Sequence, residues 1–179
     1  RKNKNLGVTM LNMIIRLIYK VLNKIKLIKL RWFYDDHKII AEQNKLFLEL
    51  GFDRSAALNL LHDIYKSYPS TQLLLSEHHA LFGSLSLRGG VLSVLEIGTY
   101  SASYTKLLSV LFSNAVITTI DLPDEDPIFS ETYDRSNLER RTQFINDRNK
   151  VLNSCENVRF LQKNSLHLLH KKDEKFDLI

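Results

Sequence analysis

Glu96, Gly98 and Asp121 are residues whose types and spacing could do chemistry together in this 179-residue chain. An apolar run from Val91 to Ile97 is interrupted by Glu96, stops at Gly98 and gives way to Thr99-Tyr100-Ser101-Ala102-Ser103 before helical periodicity resumes. A glycine at the end of a buried strand lets the backbone bend sharply and lets a ligand approach it, because no Cβ stands in the way. The hydroxyl-rich residues after it would place N–H groups at a helix start, where they have no intrahelical acceptors and suit an anionic or polar ligand group. Asp121 ends a second apolar run, 23 residues on from Gly98 (98 to 121). A carboxylate there can accept two hydrogen bonds, which suits the vicinal hydroxyls of a ribose. The combination points to a nucleoside-bearing cofactor. The plainer readings are a bare strand-to-helix turn for Glu96 and Gly98, and a loop acid or helix cap for Asp121.

What is missing narrows the cofactor. A dinucleotide fingerprint needs three glycines in a G-x-G-x-x-G pattern, but Tyr100 and Ser103 occupy the second and third places. A Tyr side chain would crowd a diphosphate, and no G-K-[ST] loop exists. Glu96, two residues before Gly98, would repel a pyrophosphate and favour a cationic amino group. A nucleoside without phosphates fits better.

Other polar clusters carry weaker signals. His78 and His79 are adjacent, so on a helix they point about 100° apart and cannot jointly grip a metal. His167 and His170 can share a face but lack a third ligand. Asp124, Glu125 and Asp126 in "DLPDEDP" read as a solvated acidic loop, and the bases between Arg135 and Lys150, alternating with acids, as an exposed helix face. Cys155 is the one cysteine, so no intramolecular disulfide can form, and no zinc-site spacing is present.

The elements that must position these residues follow from periodicity. Val91–Ile97, Ala115–Leu122 and Val158–Gln162 read as strands, with Phe176–Ile179 opening a fourth. Ser103–Phe112 and Asp134–Asn153 read as helices, Leu166–His170 as a short one, and Pro123 and Pro127 mark a loop. Strands alternating with helices predict an α/β fold with a doubly wound, mostly parallel sheet. Upstream, residues 37 to 65 show helical periodicity broken at Gly51-Phe52-Asp53, where Asp53 can cap the next helix. "SYPST" at 67 to 71 reads as a loop, and a helix from Leu73 to Leu85 stops at Gly89-Gly90. Three regions result: a basic extension at 1–33, a helical lead-in at 34–90, and the α/β part at 91–179.

Charge separates the first region from the rest. Residues 1–33 hold nine of the 25 Lys and Arg and no acid, leaving 16 bases against 20 acids in the remainder. Asn12, Arg16, Lys20, Asn23, Lys24, Lys26 and Arg31 fall on one half of a helical wheel, so a basic amphipathic helix is expected. Such a helix packs on the domain or a partner chain, or lies on an anionic membrane surface. Arg16 and Lys20 interrupt every window long enough to span a membrane. The mildly acidic body argues against nucleic acid as a partner. A cytoplasmic location, peripheral to a membrane if the basic helix docks there, is the expectation.

"VLEIGTYSASYTKLL" followed by "VITTIDLP" resembles the first two motifs of class I S-adenosylmethionine-dependent methyltransferases, particularly small-molecule O-methyltransferases. "VRFLQKNSLHLL" resembles their third-strand segment and "KFDLI" the start of their fourth strand, so the likeness runs from about Leu73 to the end. It departs from the family at Ala102, where many members carry a second glycine. The resemblance implies a Rossmann-like methyltransferase fold, incomplete at the C-terminus, and methyl transfer from S-adenosylmethionine to a small-molecule O or N acceptor. It implies that Glu96 holds the methionine end. Gly98, Thr99, Tyr100 and the helix start at Ser103 would line the floor, Asp121 would bind the ribose and Leu122 pack on the adenine. Asn164 or Ser165 would meet the adenine edge, although Ser165 is equally placed to cap a helix. In the family's metal-dependent members a carboxylate follows the fourth strand, past Ile179, so metal dependence, the catalytic base and the activity of an isolated piece ending there stay open. The competing readings are a nucleotide-dependent oxidoreductase and a non-catalytic adaptor docking through residues 1–33.

Overall fold

The computed structural model describes Leu22, Lys24 and residues 35–67, 76–132, 135–166 and 175–179. The basic extension, apart from the helical Leu22 and Lys24, lies outside them, as do His167, His170, Asp134, all but Ser67 of the 67–71 loop and all but Leu166 of the helix expected at 166–170. The chain divides into two compact units, residues 1–49 and 50–179. In the first, helix α1 (Asp36–Glu49) starts where Asp35 Oδ1 accepts from the N–H groups of His37 and Lys38, both at 3.1 Å.

The second unit opens with two helices, α2 (Arg54–Ser67) and α3 (Glu77–Arg88). Asp53 caps α2 as its sequence position predicts, its Oδ1 accepting from Ala56 N at 3.0 Å. The helices approach closely because Gly83 faces Ala57, where an added Cβ would sit 3.2 Å from the Ala57 Cβ. Their first turns are tied by Arg54 to Glu77, at 2.8 and 2.6 Å. Helix α3 does not begin at Leu73: Ser76 is extended, and it cannot be an interior helical residue. The His79 Nδ1 accepts from Ser76 N (3.0 Å), which stands in for the carboxylate of a capping box. At the other end Gly89, at φ 74, lets α3 run three residues past Leu85.

From there strands and helices alternate: β1 (Ser93–Ile97), α4 (Ser103–Leu111), β2 (Val116–Asp121), α5 (Pro127–Glu131), α6 (Leu138–Asn153) and β3 (Val158–Gln162). The sheet is parallel in the order β1-β2-β3, with Glu96 opposite Thr119 and Asp121 opposite Gln162. Leu178 makes a parallel bridge to Val94 on the free side of β1. The chain therefore runs outward from β1 to β3 and returns to the other side of β1, so chain order reverses beside β1. Residues Ile117 to Ile120 of β2 are all buried, and successive strand residues face opposite ways, so both faces of β2 are covered. Leu107, Leu108 and Leu111 of α4 pack with Val94, Ile117 and Leu61 in the core.

Three readings of the segment after β2 need correction. Pro127 begins a helix instead of extending a loop. Asp126 Oδ1 accepts from Ile128 N (2.8 Å), and proline suits the first helical position because its missing N–H would be unpaired there anyway. Helix α6 starts at Leu138, capped by Asn137, and its bases are not all on an exposed face. Arg148 is 1% exposed and grips Asp124 with two hydrogen bonds of 2.8 and 3.0 Å, while Arg135, ahead of the helix, is buried over the rings of Phe129 and Phe144. Asp124 is thus half of an ion pair and not a solvated loop acid. Among the described residues no helix is long and apolar enough to cross a membrane, and no group of three or more His, Cys, Asp or Glu could hold a metal ion.

Candidate functional site

The turn after β1 departs from ordinary backbone at three residues within five. Gly98 has φ 96, a value that disfavours any side chain, and Tyr100 (φ 47) and Ala102 (φ 61) are left-handed despite carrying one. Ala102 is the N-cap residue of α4, so the position where the resembling family often has glycine does require the left-handed conformation. The turn is held by Gly98 N to Ile120 O and Ala102 N to Thr99 O, both 2.8 Å.

Beneath the turn lies a run of buried hydroxyls that sequence reasoning missed. The hydroxyls of Thr105 on α4 and Thr119 on β2, both fully buried, donate to Glu96 Oε2 at 2.5 and 2.6 Å, and the Thr99 and Thr119 hydroxyls are 2.7 Å apart. Because the Thr119 proton goes to Glu96, Thr99 is the donor in the last bond. Among the described residues Glu96 Oε1 has no hydrogen-bond partner. Burial pushes the Glu96 carboxyl above its usual range. Donation from Thr105 and Thr119 opposes this, and the nearby Asp121 charge adds to it. A register would have revealed Thr119, since it faces Glu96 across the ladder. Composition alone could not.

Asp121 is held differently. Its Oδ2 accepts from Tyr100 N and its Oδ1 from Leu122 N, each at 2.8 Å. One N–H of the turn that the sequence left for a ligand is thus committed to Asp121. Each carboxylate oxygen keeps a further acceptor direction. The Tyr100 ring is 49% exposed and tilts against Phe144 at 5.3 Å. Ser103 pairs its hydroxyl with that of Ser101 at 3.0 Å.

Two cavities share wall residues at the end of β1. One, of about 360 Å³, is lined by Glu96, Tyr104, Phe82 and Leu108 together with Leu178 and Ile179. The other, of about 300 Å³, is lined by Asp121, Leu122, Ile128, Lys163, Asn164 and Ser165. Ile97 and Gly98 line both. An added Cβ on Gly98 would meet no atom within 4 Å, so open space lies over this glycine. The structure therefore brings Asp121, Leu122, Asn164 and Ser165 together on one cavity and sets Glu96 on the other. Thr99 is buried in the hydroxyl run, and Thr99, Tyr100 and Ser103 line neither cavity. Asn164, not Ser165, makes the capping contact, its Oδ1 accepting from Leu166 N at 3.0 Å. Lys163 and Ile128 are cavity residues the sequence did not single out. Comparison with protein-family models gave no match, nor did comparison with curated proteins.

Proposed function

We propose that the chain binds S-adenosylmethionine across the end of β1 and serves methyl transfer to the O or N of a small-molecule acceptor in a doubly wound, Rossmann-like domain. The observation that carries the reading is the pair of cavities that share Ile97 and Gly98 in their walls, one with the part-buried carboxylate of Glu96, the other with Asp121 at the end of the neighbouring strand. A ligand with a ribose at one end and an amine at the other matches that division, and cavities of this size are ordinary for small ligands. The crevice at the carboxyl end of a parallel sheet, where strand order reverses, is also where α/β folds bind ligands.

On this reading Asp121 accepts from the ribose hydroxyls through the acceptor directions its backbone donors leave unused. Leu122 and Ile128 cover the base, and Asn164 and Ser165 meet its edge. Glu96 receives the amino group at Oε1 while Thr105 and Thr119 hold Oε2. When bound, the cofactor supplies an electrophilic methyl on a sulfonium. The protein's task is to align it with the acceptor atom and exclude water. A cytoplasmic location and a small-molecule acceptor belong to the same proposal.

Calorimetric titration with S-adenosylmethionine and, separately, NAD tests it. The expected result is saturable binding of the first, weakened at least tenfold by Asp121→Asn, and none of the second. Tight NAD binding with no response to S-adenosylmethionine would overturn it in favour of an oxidoreductase.

A further inference from the structure

The loop and short helix that close the 300 Å³ cavity rest on α6, none of whose residues lines either cavity. Phe144 and Arg148 stand four residues apart on α6, on one face of it. The Arg148 guanidinium lies 4.9 Å from the Phe160 ring on β3, and its two hydrogen bonds to Asp124 tie the loop after β2 to the helix. Within that loop the bonds are local: Leu122 N donates to Asp121 Oδ1, Asp126 N to Pro123 O and Ile128 N to Asp126 Oδ1. On α5 two neighbouring side chains then part. Phe129 is 1% exposed, packed on Phe144 at 6.0 Å with Arg135 and Arg148 at 3.9 and 5.8 Å, whereas Ile128 is 64% exposed and lines the cavity.

We propose that Arg148 is a positioning residue for ligand binding: by fixing Asp124 from α6 it holds the 122–128 segment so that Leu122 and Ile128 stand preformed around the nucleoside before any ligand arrives. The proposal rests on the methyl-donor reading and adds how its nucleoside cavity is kept in shape by a residue that touches no ligand. Asp124 lies two residues after Leu122 and four before Ile128, so a bond that fixes it fixes both. Burial pushes the Asp124 carboxyl up, but hydrogen bonds from Arg148 and Gln162 and the charges of Arg148 and Arg135 outweigh this and hold it below its usual range, so the pair is ionised at neutral pH. Apolar side chains of similar volume would often stabilise a fold as well as a buried ion pair does. What a two-pronged guanidinium–carboxylate bond adds is a defined geometry, and a segment held in its bound shape spares the ligand the cost of ordering it.

Arg148→Lys keeps the charge and loses the two-pronged geometry. Calorimetry on the 179-residue chain uses S-adenosylmethionine and 5′-methylthioadenosine, which carries the nucleoside without the amino-acid head. Arg148→Lys should weaken both by about tenfold, the cost of ordering two side chains on binding. In an Ile128→Ala background the same substitution should cost only about threefold, because one of the two side chains is gone. An Arg148→Lys chain with the wild-type circular dichroism spectrum that binds both compounds within about twofold of wild type would mark Arg148 as a purely structural residue and overturn the proposal. So would an undiminished loss in the Ile128→Ala background, since Arg148 would then act by another route. Amide exchange in the wild type needs no variant and serves if Arg148→Lys does not fold: the Ile128 N–H should be protected before ligand is added, and protection that arises only with ligand refutes a preformed segment. Binding of S-adenosylmethionine but not 5′-methylthioadenosine sinks the positioning role and leaves the methyl-donor reading standing, whereas failure of both to bind removes that reading and this one together.

Discussion

Thr119→Val removes one buried hydroxyl and almost no volume, so it isolates the network under Glu96. Thr and Val are both β-branched and suit the strand equally. The substitution deletes a donor to Glu96 Oε2 and the acceptor for the Thr99 hydroxyl, itself buried. A hydrogen bond to a charged group contributes about 1.5–3 kcal/mol, and a stranded buried hydroxyl costs about 1–3 kcal/mol. Burying a methyl where the hydroxyl was returns about 0.8 kcal/mol. The expected loss near neutral pH is therefore about 2–5 kcal/mol in folding free energy.

The pH dependence is the sharper part of this prediction. Burial raises the folded-state Glu96 pKa above its unfolded value of 4.5. For an acid this means that stability is fully present below the unfolded value and falls as pH rises through the folded one, because the folded state holds the proton more tightly. Removing a donor to the carboxylate pushes the folded value higher still, so the Thr119→Val penalty should grow from about pH 4 to neutrality. Glu96→Gln, whose amide oxygen can accept from both threonines, should remove that growth. Urea denaturation of the wild type, both single variants and the double variant across this range reads all of it. The four proteins form a double-mutant cycle with an expected coupling above about 1 kcal/mol near neutral pH. A penalty below about 1 kcal/mol, or one that does not change with pH, refutes the network as the support of an ionised Glu96.

Gly98→Ala should cost about 1–3 kcal/mol of stability from backbone strain alone, since its Cβ meets no protein atom, and thermal denaturation measures this. The same Cβ enters open space at a residue that lines both cavities, so affinity for S-adenosylmethionine should fall at least tenfold in calorimetry. Arg148→Met leaves Asp124 without its partner and should cost about 3–5 kcal/mol in urea denaturation, with Asp124→Asn in the same chain restoring part of it. Asp177 Oδ2 accepts from Leu92 N, Ser93 N and the Ser93 hydroxyl, each at 2.9 Å, and these bonds hold its pKa below the usual 3.8. Its contribution is present above the unfolded value and lost as pH falls through the folded one. Asp177→Asn should flatten the acid limb of the stability curve below about pH 4, read by circular dichroism.

The strands and the turn between β1 and α4 were legible because local chemistry decides them. Val158–Gln162 appears at its predicted bounds, and Asp53 caps the helix its position predicted. What stayed hidden depends on partners far away in sequence. Arg148 reads as a surface base until Asp124, 24 residues earlier, and the Phe129 and Phe160 rings are brought around it. Burial of such a charge follows from pairing, which periodicity does not encode. Pro127 reads as a breaker, yet with Asp126 before it the same residue starts a helix. Thr105 and Thr119 look like ordinary helix and strand threonines, and only the parallel register places Thr119 against Glu96.

The same register explains why a strained turn and a carboxylate belong together here. Left-handed backbone at Tyr100 and Ala102 costs about 1–3 kcal/mol each and persists only where the surroundings hold it. Tyr100 in that conformation delivers its N–H to Asp121 Oδ2, a charge-assisted bond of about 1.5–3 kcal/mol, and Ala102 is wholly buried. The turn thus fixes Asp121 in place, while Asp121 offsets the cost of the turn. Asp121→Asn keeps the acceptor oxygen but removes its charge, so it should weaken the turn as well as any ribose contact. Asp121→Ala should loosen the 98–102 backbone even with no ligand present, seen as faster amide exchange at Tyr100. If exchange there is unchanged, the carboxylate is not what holds the turn.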